Sequence, residues 1–158
     1  KNSVEIEGNQ DTRQAMVNIV NQDNGRGGEA DANNREYGGR VRSTGEVVES
    51  PPGPVTDPLL SAFASINITS LSNQSTFHSH PSGTRTQSSS SGSGGTTIGG
   101  TTATGSFQNA PSNKGGDIEN SGSKVNYVFS RGNGTVYIYN NTGVIATIPQ
   151  KYFVNPKK

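Results

Sequence analysis

The spacing of apolar residues along the chain divides it into elements. In DTRQAMVNIVNQ, residues 11–22, Ala15, Met16, Ile19 and Val20 recur at helical spacing, and Asp11 is a residue type that caps a first turn, so a short helix is predicted. The turn-forming run NQDNGRGGEADANN then predicts a loop. In REYGGRVRSTGEVVES, Tyr37, Val41, Val47 and Val48 flank Ser43-Thr44-Gly45, which is the pattern of a hairpin, and the prolines of PPGPVTDP close it. Leu59, Leu60, Phe63, Ile66 and Ile68 are mixed among small polar residues, a pattern that leaves helix or strand open. The strongest strand signal lies in the last third. KVNYVFS alternates Val125, Tyr127 and Phe129, RGNG turns into TVYIYN, and NNTG turns into VIATIP, which predicts an antiparallel meander of three strands.

Composition changes this picture in one place. Residues 82–110 are dominated by Ser, Thr and Gly, with Ile98 and Phe107 as the large apolar side chains, so burial cannot order them and a flexible insertion is expected. The whole is read as one α+β domain over residues 1–158, with an N-terminal helix, a mixed or antiparallel central sheet and a C-terminal β-meander. Hydrophobic residues make up 27% and mean hydropathy is −0.69, the mark of a small core diluted by polar loops. The 13 basic and 12 acidic residues leave a net charge of +1, which gives no basic surplus for a nucleic acid. No apolar run approaches the roughly 18 residues of a membrane span. The chain opens on Lys1 without Met or a signal peptide, so it is expected to be a piece of something longer. The absence of cysteine excludes a disulfide framework, a thiolate-ligated zinc site and a thiol nucleophile.

Both histidines of the chain fall in Phe77-His78-Ser79-His80-Pro81. If Thr76 to His80 is extended, residues two apart leave one face, so both imidazoles enter one space while Ser79 points away. Two imidazoles in one space suit a shared zinc ion, and without cysteine any further protein ligand is a carboxylate. Pro81 is expected to stop strand pairing and turn the chain off at the sheet edge, leaving the site open. The blander reading is an incidental His-x-His in a Ser-rich loop, within a non-catalytic cell-envelope or interaction module. For the aromatic series Tyr127, Phe129, Tyr137 and Tyr139, core and cross-strand pairing is favoured over a stacking platform.

The order of residues around this motif resembles the JAMM (JAB/MPN) metalloproteases, whose pattern is a glutamate, then His-x-His-Pro, then a serine and an aspartate. The matching residues are Glu36 in Arg35-Glu36-Tyr37-Gly38-Gly39, His78-Ser79-His80-Pro81, Ser112 and Asp117. The family's serine and aspartate have two residues between them and lie closer to the histidines; here four residues separate them, and strict counting back from Asp117 puts Lys114 at the serine position. The resemblance implies a JAB/MPN-like domain in which His78, His80 and Asp117 hold Zn²⁺. It makes Glu36 the general base and Ser112 a donor to the oxyanion, with Asp57 and Glu119 as fallback ligands. The implied activity is hydrolysis of peptide or isopeptide bonds in a protein or peptide substrate. The whole pattern, including the tail YVFS…VYIYNNTGVIATIPQKYFV, also resembles JAB-like toxin domains at the C-terminal ends of bacterial polymorphic toxins, which implies secretion or delivery from a bacterial cell and a cognate immunity protein.

Overall fold

The computed structural model describes residues 9–70, 74–89, 101–112, 116–118, 121 and 124–155. Helix α1 runs Gln10–Val20, followed by strands β1 Gly38–Val41, β2 Val47–Glu49, β3 Ser75–His80, β4 Thr84–Ser89, β5 Thr101–Ser106, β6 Asn126–Ser130, β7 Thr135–Asn140 and β8 Gly143–Pro149. Six strands form one mixed sheet in the order β2-β1-β3-β6-β7-β8, and β4 pairs with β5 in a separate two-stranded sheet. The fold is therefore α+β, as expected. All neighbours in the large sheet are antiparallel except β3 and β6, which run parallel.

Alternation along the strands gives the sheet two unlike faces. On one face Val41, Phe77, Tyr127, Phe129, Val136 and Ile138 pack against Met16, Val17 and Val20 of α1 and against Phe153 beyond β8. Phe153 stands edge-on to both Tyr127 and Phe129, with centroids 5.6 and 5.1 Å away. Such pairs add about 0.5–1.5 kcal/mol to the burial of the rings. The other face carries Thr76, His78 and His80 on β3, Asn126, Val128 and Ser130 on β6, and Tyr137 and Tyr139 on β7, as the register of paired positions requires. Every residue of β6 is buried, so this second face is covered as well.

Local chemistry explains most of the boundaries. The first hairpin forms as predicted, with Arg42 N donating to Glu46 O at 2.8 Å and Gly45 at a φ of +91° that disfavours a side chain. The meander β6–β7–β8 also forms as predicted. The helix starts earlier than the Asp11 expectation: Asn9 is the N-cap, its side chain accepting from the amides of Asp11 and Thr12. Asp11 instead places its charge in the first turn, where it suits the helix dipole.

Two further expectations need correction. Within 82–110, read above as a flexible insertion, 84–89 and 101–106 pair antiparallel in register from Thr84↔Ser106 to Ser89↔Thr101, while 90–100 lie outside the described residues. Backbone pairing replaces apolar burial there, and Arg85 anchors the hairpin by donating to Asp57 Oδ2 at 2.6 Å. Nor does His-x-His-Pro lie at a sheet edge, because β3 sits between β1 and β6. Pro81 ends the strand, but the histidines stand in the interior of the sheet. The ambiguous stretch after Pro58 is neither helix nor strand; from Ala64 to Thr69 it alternates half-buried and exposed residues, as extended chain does. No helix among the described residues is long and apolar enough to cross a membrane.

Candidate metal centre

His78 and His80 leave the same face of β3, each 6% exposed, with ring centroids 5.1 Å apart. Opposite His78 the neighbouring strand carries Gly38, where an added Cβ would lie 2.2 Å from the Phe77 carbonyl oxygen and 2.9 Å from the His78 Cβ. The close approach of the β3 backbone leaves no room for a side chain there. Two residues upstream, in phase with Gly38, the chain brings Glu36 onto the same face. Ser79 points the other way, and its Oγ accepts from Tyr37 N at 2.9 Å while its amide donates to Tyr37 O at 2.7 Å. These bonds fasten Glu36 beside the histidines. One ligand-capable atom from each of Glu36, His78 and His80 lies within 4.8 Å of the others, so this buried group could hold a metal ion.

Asp117 reaches the same point from the segment that covers the site face. Its Oδ1 is 3.2 Å from His78 Nε2 and its Oδ2 is 3.1 Å from His80 Nε2. Ser112 holds Asp117 in place through reciprocal bonds: Ser112 N donates to Asp117 Oδ2 at 3.0 Å, and Asp117 N donates to Ser112 Oγ at 2.8 Å. The spacing of four residues between them, loose for the resemblance, is the length this closed turn uses. Behind His80, Nδ1 lies 3.1 Å from the Asn109 carbonyl oxygen and donates to it, which aims Nε2 at Asp117. Of the alternative ligands, Asp57 is committed to Arg85, and Glu119, like Lys114, lies outside the described residues.

The charges of these groups are interdependent. Burial on its own would lower the pKa of His78, but its hydrogen bond to Asp117 and the charges of Glu36 and Asp117 outweigh it and raise the value to about 9. For Asp117 burial acts upward, and the bonds and charges of the two histidines override it and hold the carboxyl far below its ordinary range. Glu36 is raised, chiefly by burial, against the opposing pull of both histidines. The residue is 5% exposed and lines a cleft, and its carboxylate has no hydrogen bond or ion pair among the described residues. A buried carboxylate without a protein partner costs several kcal/mol unless a water, proton or cation serves it.

Three supporting residues carried no motif signal in the sequence. Asp23, fully buried, accepts from Ser82 N at 2.7 Å, Ser82 Oγ at 2.5 Å and Gly25 N at 2.8 Å, and so fixes the backbone just after His80-Pro81. Asn109 holds His80 through its carbonyl, and its own side chain accepts from Ser130 Oγ at 2.7 Å. Tyr139, taken from its alternation as a core or cross-strand residue, lines the same cleft as Glu36, His78, His80 and Asp117. That cleft has a volume of about 930 Å³, and part of its wall is apolar, formed by Phe63, Ile66 and Phe107.

The donor set could hold a metal ion. Tetrahedral zinc with bonds of roughly 2.0–2.1 Å places neighbouring donors about 3.3 Å apart. The Asp117 oxygens stand 3.1 and 3.2 Å from the two Nε2 atoms. Two neutral-capable imidazoles with one or two carboxylates form a nitrogen and oxygen set that zinc accepts, and one imidazole has the outer hydrogen bond typical of metal-ligating histidine. No protein-family model matches this chain, and neither a curated protein nor a solved structure matches it.

Proposed function

We propose that this chain is a zinc-dependent hydrolase of peptide or isopeptide bonds, with His78, His80 and Asp117 as metal ligands and Glu36 as general base. The reading rests on one observation above all: a buried glutamate with no hydrogen bond or ion pair among the described residues stands beside two imidazoles joined through a second carboxylate. Bound zinc would lower the pKa of a water to about 7 and polarise the substrate carbonyl. Glu36, raised by burial, is tuned toward accepting a proton and handing it to a leaving amine. Ser112 keeps Asp117 aimed at the histidines, and its hydroxyl retains a proton that can be donated into the cleft. Interior placement on β3 gives the histidines a rigid base, and the cleft beside them is large enough for a short peptide segment. The resemblance to the JAMM proteases names the same residues in the same roles.

The test is Glu36→Gln in zinc-loaded protein assayed on a peptide and isopeptide library. Zinc should stay bound while turnover falls by roughly 10²–10⁴, the range for loss of a general base. Full activity in the variant would remove Glu36 from the mechanism, and loss of zinc would make it a ligand instead. The toxin reading belongs to the same proposal. Expression inside a bacterial cell should slow growth, and Glu36→Gln should restore it; equal growth with both forms would contradict it.

A further inference from the structure

Tyr139 is 3% exposed, yet it lies on the site face of β7, opposite Asn126 of β6, and lines the cleft beside both carboxylates. The bulge in the β7–β8 ladder lies on the β8 side, where Ile145 falls between the partners of Ile138 and Tyr139, while the β6–β7 pairing runs without a shift and keeps Tyr139 on the site face. Buried tyrosine hydroxyls normally find a partner. The Tyr37 hydroxyl donates to Ala32 O at 2.9 Å and that of Tyr137 accepts from Asn133 Nδ2 at 3.0 Å. The Tyr139 hydroxyl has no such bond among the described residues. Burial, with the charges of Asp117 and Glu36 adding to it, raises the pKa of this phenol and favours the protonated form that can donate. The Ser112 hydroxyl accepts a bond from the Asp117 amide and keeps its own proton, so a Tyr139 donor would act beside it.

We propose that Tyr139 is a catalytic hydrogen-bond donor to the carbonyl oxygen of the substrate, an inference that rests on the hydrolase reading above. Attack of water on the carbonyl carbon forms one C–O bond, sends one proton to Glu36 and moves an electron pair onto the carbonyl oxygen. Tyr139 donates to that oxygen without losing its proton. Return of the pair breaks the C–N bond, and the proton on Glu36 passes to the departing nitrogen.

The experiment compares Tyr139→Phe with wild type, both zinc-loaded, using the library peptide that wild type cleaves fastest and a phosphonamidate analogue of it. The variant should keep its zinc and its melting temperature, since the ring still fills its place. Its kcat should fall by roughly 10²–10³ with KM unchanged, the loss expected for one preorganised oxyanion donor. Affinity for the tetrahedral analogue should fall by the same factor, while the substrate peptide should bind Glu36→Gln and the Glu36→Gln, Tyr139→Phe double variant equally. Wild-type turnover and analogue binding that persist in Tyr139→Phe would overturn the assignment alone. A zinc-loaded wild type that neither cleaves any peptide nor binds the analogue would overturn the hydrolase reading and this assignment with it.

Discussion

At the scale of single residues, the site is a set of charges that stabilise one another only in particular protonation states. His78 has a folded pKa of about 9, above its ordinary 6.5, so its contribution to stability is complete below about 6.5 and is lost as pH rises through 9. Asp117 is shifted down from 3.8, so its contribution is present above that value and is lost as pH falls below it. The metal-free chain should therefore be most stable between these limits, and its melting temperature should decline between pH 6.5 and 9. Zinc must displace the His78 proton, so apparent zinc affinity should rise with pH up to about 9, with proton release measurable by calorimetry in buffers of different ionisation enthalpy. No proton release at neutral pH would contradict the pairing of His78 with Asp117. Ser112→Ala removes the acceptor for the Asp117 amide and should weaken zinc binding by roughly 10–100-fold, as losses of outer-shell partners do; competition with a chelator of known affinity measures it. Much of this site was legible in the sequence, because His78 and His80 are two apart on an extended run and that spacing alone fixes a shared face. Tyr139, Asn109 and Asp23 were not legible. Their roles depend on which face of β7 meets the cleft, on a backbone carbonyl, and on a carboxylate 59 positions from its partner Ser82, none of which leaves a local pattern.

At the scale of elements, β3 does the positioning. It is flanked on both sides, so the histidine backbone is held by ladders to β1 and β6, and the parallel pairing with β6 brings Asn126 and Val128 alongside the site. That parallel pair was invisible to sequence spacing, because β3 and β6 are far apart in the chain and a parallel partner carries no turn signal. The first hairpin and the meander were visible because their turns, Ser43-Thr44-Gly45, RGNG and NNTG, lie between strands of matching alternation. The β4–β5 arms were hidden by their composition, which predicts too little burial, whereas their order comes from paired backbone and the Arg85–Asp57 bond. Replacing residues 90–100 with Asn-Gly to join Ser89 to Thr101 should leave zinc content and melting temperature unchanged, because both arms and their anchor survive. Loss of zinc in that variant, read by elemental analysis, would show that the site depends on the deleted residues.

At the scale of the whole molecule, the sheet separates two tasks. One face, with α1 and Phe153, forms the apolar core, and the other collects Glu36, His78, His80, Asp117 and Tyr139 around a cleft. The chain places its apolar cluster on one face of the sheet, and the second face meets irregular segments in which Phe63, Ile66 and Phe107 stand among polar residues. The near-zero net charge leaves the local field of the site to its own residues. The account depends on that cluster being a zinc site, and elemental analysis of the purified protein tests it most directly. It predicts close to one zinc per chain, lost in the His78→Ala, His80→Ala double variant. Wild-type protein that binds no zinc when offered it would contradict the account.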